Sequence, residues 1–355
     1  MKNYKFNVNS FDMLRLLAAL QVAFLHSYEF SGNYNGDNYF LSFLELFPGV
    51  PIFFFVSGYL ISKSYERSAT LFSFSLNRIL RLYPALIVCV VINLIMIAVT
   101  GYFQNTSVSA SEIVMLGVAK SSFLQFYNPD FMRAFGDGVL NGSLWTICVE
   151  IQFYMLVPLL YKCLMRGGRF ENIKLVMVII VFIVANRCLF SFSGEYSQNI
   201  IWKLYRISFM PWLYMFLVGV LVQKNFEVIA RYILKLNLLF LLIVYVCIAY
   251  LLSNQGMLLG NSISPLLFFP LVVLIFKFSY SNVQITNRLL RGNDISYGVY
   301  IWHMPIINQA LYLYGYDLSE GVVVGLLGLT IFAGLGSWLL IEAPSLRLKK
   351  NSIKR

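Results

Sequence analysis

The chain has 355 residues, of which 59% are hydrophobic and 17% aromatic, while only 12% are charged. A water-soluble fold of this length needs a far more polar surface, so the composition excludes one. The net charge of +11 suggests nucleic acid at first sight, but membrane topology accounts for it, as the distribution of the basic residues shows below.

Apolar stretches long enough to approach the width of a bilayer recur from end to end. Ten can be read, over about 11–30, 43–62, 83–102, 144–164, 174–192, 207–223, 236–253, 264–278, 295–314 and 321–341. Only helices satisfy their own backbone in hydrocarbon without closing a barrel. The expected fold is therefore an all-α integral membrane protein of about ten transmembrane helices, forming a single domain over residues 1–355. The stretch after the first window, "SYEFSGNYNGDNYF", lacks a small-x-small cleavage site, so that window reads as a span rather than a signal peptide.

With the N-terminus in the cytoplasm, the inner segments collect 21 of the 27 lysines and arginines. They include Lys2, Lys63, Arg67, Arg78, Arg81, Arg166, Arg169, Lys224, Arg288, Lys354 and Arg355. The outer segments hold only Lys120, Arg133, Arg187, Lys203 and Arg206. This bias puts both termini inside, so the charge needs no nucleic-acid partner. The five cysteines show no C-x-x-C and no paired outer spacing, hence neither a disulfide framework nor a metal site. The two histidines lie in distant spans without ligand spacing, and no metal is expected.

Charged groups within apolar spans are costly and point to function. In "RLLAALQVAFLH", Arg15 and His26 stand eleven residues apart. On a helix that spacing returns the side chain to within about 20° of its first face and raises it about 16 Å. Asp12, three residues before Arg15, can pair with it. Read alone, Arg15 also fits a snorkelling interfacial arginine, and His26 a hydrogen-bonded packing group. In "PIFFFVSGYLIS", Ser57 and Gly58 mark either close helix packing or room for a thin ligand. "FSLNRILRLYP" carries Arg78 and Arg81 at i and i+3, a pair that suits phosphate and equally suits lipid headgroups or topology.

The outer polar interval, about 103–143, contains the semi-apolar piece "EIVMLGVAKSSFLQFY". It leads into "NGSLWTICVEIQFY", where Gly142 and Ser143 read as helix caps and Glu150 lies about 10 Å below the start of the helix. A carboxylate at the level of His26 can orient the ring as a general-base pair, with a structural tie as the other reading. Glu29, three residues after His26, is a second orienting candidate. Late in the chain, His303 of "DISYGVYIWHMP" and Glu342 of "SWLLIEAPS" fit either a polar channel or satisfied packing.

Six of these stretches in this order, "FDMLRLLAALQVAFLH", "FFFVSGYLI", "RILRLYP", "SLWTICVEIQFY", "SYGVYIWHMP" and "SWLLIEAP", resemble the membrane-bound acyltransferase-3 family over essentially the whole chain. The resemblance implies transfer of an acyl group, most often acetyl, to a sugar hydroxyl of a bacterial surface polysaccharide such as lipopolysaccharide O-antigen, at the inner membrane. It makes His26 the catalytic residue, with Glu150 and Trp145 in the acidic motif beside it. It also gives Arg15, Arg78 and Arg81 to binding of the donor, with Ser57 in the span between. Acetyl-CoA is then a donor substrate, and no cofactor is bound permanently. The partners implied are acyl-CoA, a glycan or lipid-linked glycan acceptor, and membrane lipids.

Met13 stands where the family commonly has glycine, and no SGNH-like domain follows the bundle, so the stand-alone type is expected. In the mechanism this suggests, His26 deprotonates the sugar hydroxyl while Asn141, Ser143 or Trp145 stabilises the oxyanion. His303 and Glu342 support the site, and an acyl-histidine intermediate remains a variant. Without the resemblance, a polytopic secondary transporter or a polysaccharide-export protein is the alternative. Transporters of that kind carry internal repeats with broken helices in both halves, which the sequence does not show.

Overall fold

The computed structural model describes residues 5–32, 38–165, 170–196, 199–253, 260–281 and 283–352. Lys2, Arg166, Arg169, Lys354 and Arg355 of the topology count lie outside the described residues. Among the described residues every regular element is helical. The main ones are α1 (Phe11–Phe30), α2 (Gly49–Arg67), α3 (Leu71–Val99), α4 (Ala110–Ser121), α5 (Trp145–Leu164) and α6 (Glu171–Tyr196). They are followed by α7 (Leu213–Lys224), α8 (Leu238–Ser253), α9 (Pro265–Ser279), α10 (Ser296–Tyr314) and α11 (Glu320–Ser337).

Each of the ten apolar windows falls on one of these helices, and the semi-apolar piece of the outer interval is α4. Five helical stretches are both long and apolar enough to cross a bilayer: Tyr39–Arg67, Leu71–Val99, Gly142–Leu164, Glu171–Phe192 and Glu320–Leu348. Two bent pairs raise the number to seven, and in one of them α7 turns by 88° into Phe226–Ile233. The chain is thus a multi-pass helical membrane protein.

Close contacts group the chain into two compact units. One comprises Met1–Ala18, Ser42–Ser68 and Gln152–Asp294, and the other Ala19–Leu41, Ala69–Ile151 and Ile295–Arg355.

In the first unit, α2 and α7 cross so closely that backbone meets backbone. A Cβ on Gly58 would lie 1.9 Å from the Phe216 carbonyl oxygen, and one on Gly219 would lie 2.2 Å from that of Phe55. The small residues of "FVSGYL" therefore serve packing, and Ser57 is buried beside them. Aromatic rings seal the flanks: Phe54 meets Phe153 edge-on, Phe6 stacks on Tyr59, and the Tyr59 and Tyr280 hydroxyls hydrogen-bond at 2.7 Å.

In the second unit, α10 and α11 repeat the device, since a Cβ on Gly298 would come 2.7 Å from the Gly334 carbonyl oxygen. Between lipid-soluble helices such close approach supplies the dispersion contacts that a hydrophobic driving force cannot. Two capping boxes start α3 and α4. Thr70 exchanges bonds with Ser73, and Ser109 with Glu112, satisfying backbone donors that the first turn leaves open. After α11 the helix widens into one π turn, Trp338–Glu342, before continuing as Ala343–Ser352. Such a turn shifts the register of the side chains that follow it.

Candidate active site

α10 carries His303 fully buried, with its Nδ1 2.6 Å from the carbonyl oxygen of Tyr300 one turn earlier. A carbonyl only accepts, so Nδ1–H is the donor, and the neutral ring then presents a bare Nε2. That Nε2 lies 3.0 Å from Nδ1 of His26, which projects half-buried from α1. The hydrogen bond between the rings needs its proton on His26 Nδ1, leaving His26 Nε2 as an unprotonated lone pair. This tautomer assignment follows from the hydrogen-bond chain, as histidine tautomers must. One backbone carbonyl thus fixes the protonation of two rings. Phe30 packs edge-on to His26 from the same helix, with centroids 5.7 Å apart.

The sequence offered Glu150 or Glu29 as the group that orients His26, and the structure puts His303 there instead. Glu150, on α5, lies in the electrostatic field of Tyr297 and Tyr300 of α10. Glu29 is exposed. A neutral ring can be oriented by another neutral ring without the desolvation cost that a buried carboxylate brings. The two histidines were each visible in the sequence. Their pairing was not, because it depends on which helices are neighbours.

The residues expected to stabilise an oxyanion are engaged with each other and with α10. Asn141 Nδ2 donates to the Ile301 carbonyl at 2.9 Å, while its Oδ1 accepts from both the Ser143 hydroxyl (2.7 Å) and the Ser143 backbone N–H (3.2 Å). Asn141, rather than Gly142 or Ser143, is therefore the cap of the Gly142–Leu144 turn that leads into α5. Thr146 donates to the Ser143 carbonyl at 2.9 Å and so receives the Tyr300 hydroxyl proton at 2.7 Å. Asn141 and Thr146 thus hold α10 in place, and the anchored stretch, Tyr300–Ile301, is the one that sets the histidine pair. Trp145 opens α5 directly after this turn.

Two of the candidate donor-binding arginines, Arg81 and Arg15, have carboxylate partners. Arg81 lies 3.5 Å from Glu342, which is only 1% exposed, and its guanidinium stands 5.6 Å from the centroid of Trp338. Both partners belong to the π turn, and Ser337 fixes the other Glu342 oxygen at 2.9 Å. Arg78 lies over the Phe74 ring. In the other unit, Arg15 pairs with Asp294 at 2.5 Å. Asp294 was missed in the sequence, although an acid directly before the apolar run "ISYGVYIW" was a readable signal. Asp12 sits in the first turn of α1. The structure therefore brings together His26 with His303, Arg81 with Glu342, and Asn141 with Ser143. It places Arg15, Asp12 and Ser57 in the other unit.

Cys148 donates to the Phe123 carbonyl. Among the described residues no group of three or more His, Cys, Asp or Glu side chains is arranged to hold a metal ion.

Residues 8–342 match a family described as an acyltransferase domain. Among characterised proteins the chain is 28% identical over 359 residues to Nodulation protein 10 of Rhizobium leguminosarum bv. viciae, an alignment covering 98% of this chain and 95% of that one. It is 28% identical over 316 residues to the O-acetyl transferase of Shigella phage Sf6, covering 84% of each. It is also 28% identical over 187 residues to the peptidoglycan O-acetyltransferase OatA of Listeria monocytogenes, covering 49% of this chain and 27% of OatA. No solved structure matches.

Proposed function

Because this chain belongs to the membrane-bound acyltransferase-3 family and is an acyltransferase, we propose that it moves an acetyl group from cytoplasmic acetyl-CoA to a sugar hydroxyl of a surface polysaccharide, O-antigen in the first place. O-acetyl transfer is what two of its relatives are named for, and the family match over nearly the whole chain does not favour a transporter. The observation that carries the reading is the bare Nε2 of His26, held as a base by the chain from His26 through His303 to the Tyr300 carbonyl.

The step balances as follows. His26 Nε2 takes the proton of the acceptor hydroxyl as its oxygen attacks the thioester carbonyl. The tetrahedral adduct collapses, the C–S bond breaks, and His26 returns the proton to the departing thiolate. Ester and free CoA form in equal amounts, with no net proton exchange. General-base assistance of this kind contributes typically about 10²–10⁴-fold, and the hydrogen bond from His26 Nδ1 to His303 strengthens while the ring is an imidazolium. A variant in which His26 Nε2 itself carries the acetyl group uses the same lone pair.

On the donor side, Arg78 and Arg81 engage the CoA phosphates, and Glu342 holds the Arg81 guanidinium in place beforehand. In this reading both termini lie inside, so these arginines face the cytosol and the segment around Asn141 faces outward. This arrangement lets a donor that cannot cross the membrane meet an acceptor beyond it.

The test is acetyl transfer by the full-length protein in lipid nanodiscs. His26→Ala should abolish ester formation with normal membrane insertion, and retained activity would remove the proposed base. R78Q/R81Q should weaken acetyl-CoA binding at unchanged acceptor affinity, and an unchanged donor affinity would return both residues to topology.

A further inference from the structure

In the second unit the chain makes a turn over residues 135–139 whose shape is fixed from four directions. Gly136 and Gly138 adopt φ of +54° and +87°, a region that side-chain-bearing residues rarely enter. Asn308, fully buried on α10, accepts the Asp137 N–H at 3.1 Å and donates to the Val139 carbonyl at 2.8 Å. Asn128 donates to the Gly138 carbonyl at 2.9 Å. The Tyr316 hydroxyl donates to the Gly136 carbonyl at 2.6 Å.

All this anchoring uses backbone groups of the turn and leaves two side-chain surfaces over. Asp137 takes the Val139 N–H on Oδ1 at 3.2 Å and is also met by the Asn308 side chain, yet a carboxylate has about four lone-pair sites and can accept a further donor. Its Oδ2 faces the bare backbone of Gly142, where a Cβ would stand 3.6 Å away. Tyr316 has its hydroxyl tied down yet keeps 55% of its surface exposed. A ring immobilised in this way has already lost the rotamer freedom that binding would otherwise remove.

The turn is linked to the histidine pair twice. Asn308 follows His303 by five residues on α10, and Glu29, whose charge acts on Asp137, follows His26 by three on α1. Burial pushes the Asp137 carboxyl up to about 6 and the Lys120 ammonium beside it down to about 8. The carboxyl is thus partly stripped of water, with desolvation outweighing the Val139, Asn308 and Lys120 groups around it. Hydroxyl groups supply donors without adding charge.

We propose that this turn and Tyr316 form the acceptor subsite, which takes one uncharged sugar ring, its apolar face on Tyr316 and a hydroxyl donating to Asp137 Oδ2. The inference rests on the O-acetyl transfer proposed above and names the place where the acceptor is recognised. An aromatic face and a carboxylate acceptor at its edge match the two surfaces of a pyranose, whose C–H faces are apolar and whose rim is a ring of hydroxyls.

The experiment uses the full chain in nanodiscs with acetyl-CoA and surface polysaccharide of the source strain, de-O-acetylated with mild alkali. It compares wild type, Asp137→Asn, Tyr316→Ala and Tyr316→Phe. Loss of one hydrogen bond to a charged group, or of the stacking face, should raise the acceptor KM about tenfold. The KM for acetyl-CoA should stay constant, and Tyr316→Phe, which keeps the ring but loses its tie to Gly136, should raise the acceptor KM less than Tyr316→Ala does. An active wild type with unchanged acceptor KM in both Asp137→Asn and Tyr316→Ala overturns the subsite, and so does a parallel rise in the acetyl-CoA KM. A wild type that transfers nothing overturns the transfer reaction itself. Should Asp137→Asn fail to accumulate, Tyr316→Ala decides alone, because that ring lies mostly on the surface.

Discussion

At the scale of single residues, the protonation of His26 depends on a carbonyl two steps away. Replacing His303 with alanine removes the acceptor for His26 Nδ1–H and lets the ring turn or take the other tautomer. We expect kcat to fall about 100-fold, toward the lower end of what general-base assistance is worth, with acetyl-CoA KM unchanged. His303→Gln restores an acceptor oxygen and should recover part of the loss. If His303→Ala and His303→Gln are equally impaired, the hydrogen bond is not what matters.

A second residue-scale prediction concerns pH. Folding moves the Asp137 carboxyl from 3.8 to about 6, so the folded protein binds this proton more tightly than the unfolded chain. Its contribution to stability is present below about 4 and is lost as pH rises through about 6. Asp137→Asn should therefore gain thermal stability relative to wild type as pH goes from 4 to 7, measured by unfolding in detergent; a gap that closes over that interval contradicts the assignment. The sequence displayed His26, His303, Arg81 and Glu342 as charges misplaced in apolar runs. It could not display the pairs they form, since Arg81 and Glu342 are separated by most of the chain and meet only through packing.

Among the helical elements, the decisive contacts are made where side chains are missing. Inserting a methyl group into a tight core costs typically about 1–3 kcal/mol where neighbouring side chains can give way. At Gly58 the obstacle is the Phe216 carbonyl 1.9 Å away, and a backbone already fixed inside α7 cannot yield. Gly58→Ala and Gly219→Ala should each lower the unfolding midpoint strongly or prevent accumulation, whereas Gly325→Ala, with nothing within 4 Å, should be neutral. Equal stability of Gly58→Ala and Gly325→Ala in detergent would refute the crossing.

The existence of these helices was legible from apolar length alone, since each window became helical. The breaks inside them were only partly so. No proline marks the right angle after Lys224, whereas the π turn at Trp338–Glu342 lies just before Pro344, which has no N–H to give the Leu340 carbonyl and crowds it.

For the molecule as a whole, the proposed reaction requires donor and acceptor to reach the site from opposite faces of the membrane. The positive-inside bias predicts that a single cysteine at Ser122, in an otherwise cysteine-free chain, reacts with an impermeant maleimide in intact cells. One at Ser352 should react only after the membrane is opened. Labelling in the reverse order would invert the topology and with it the route of the donor. The acceptor had no sequence signature, because a turn such as 135–139 acquires meaning only from Asn308 and Tyr316, which lie far along the chain. The most direct trial of the whole account is a transfer assay with ¹³C-acetyl-CoA, de-O-acetylated polysaccharide and the full-length protein in nanodiscs, followed by NMR of the glycan and titration of free thiol. Wild type should yield ¹³C-labelled O-acetyl ester and CoA thiol in equal amounts while His26→Ala yields neither; no ester from wild type, or the same ester from both proteins, would contradict it.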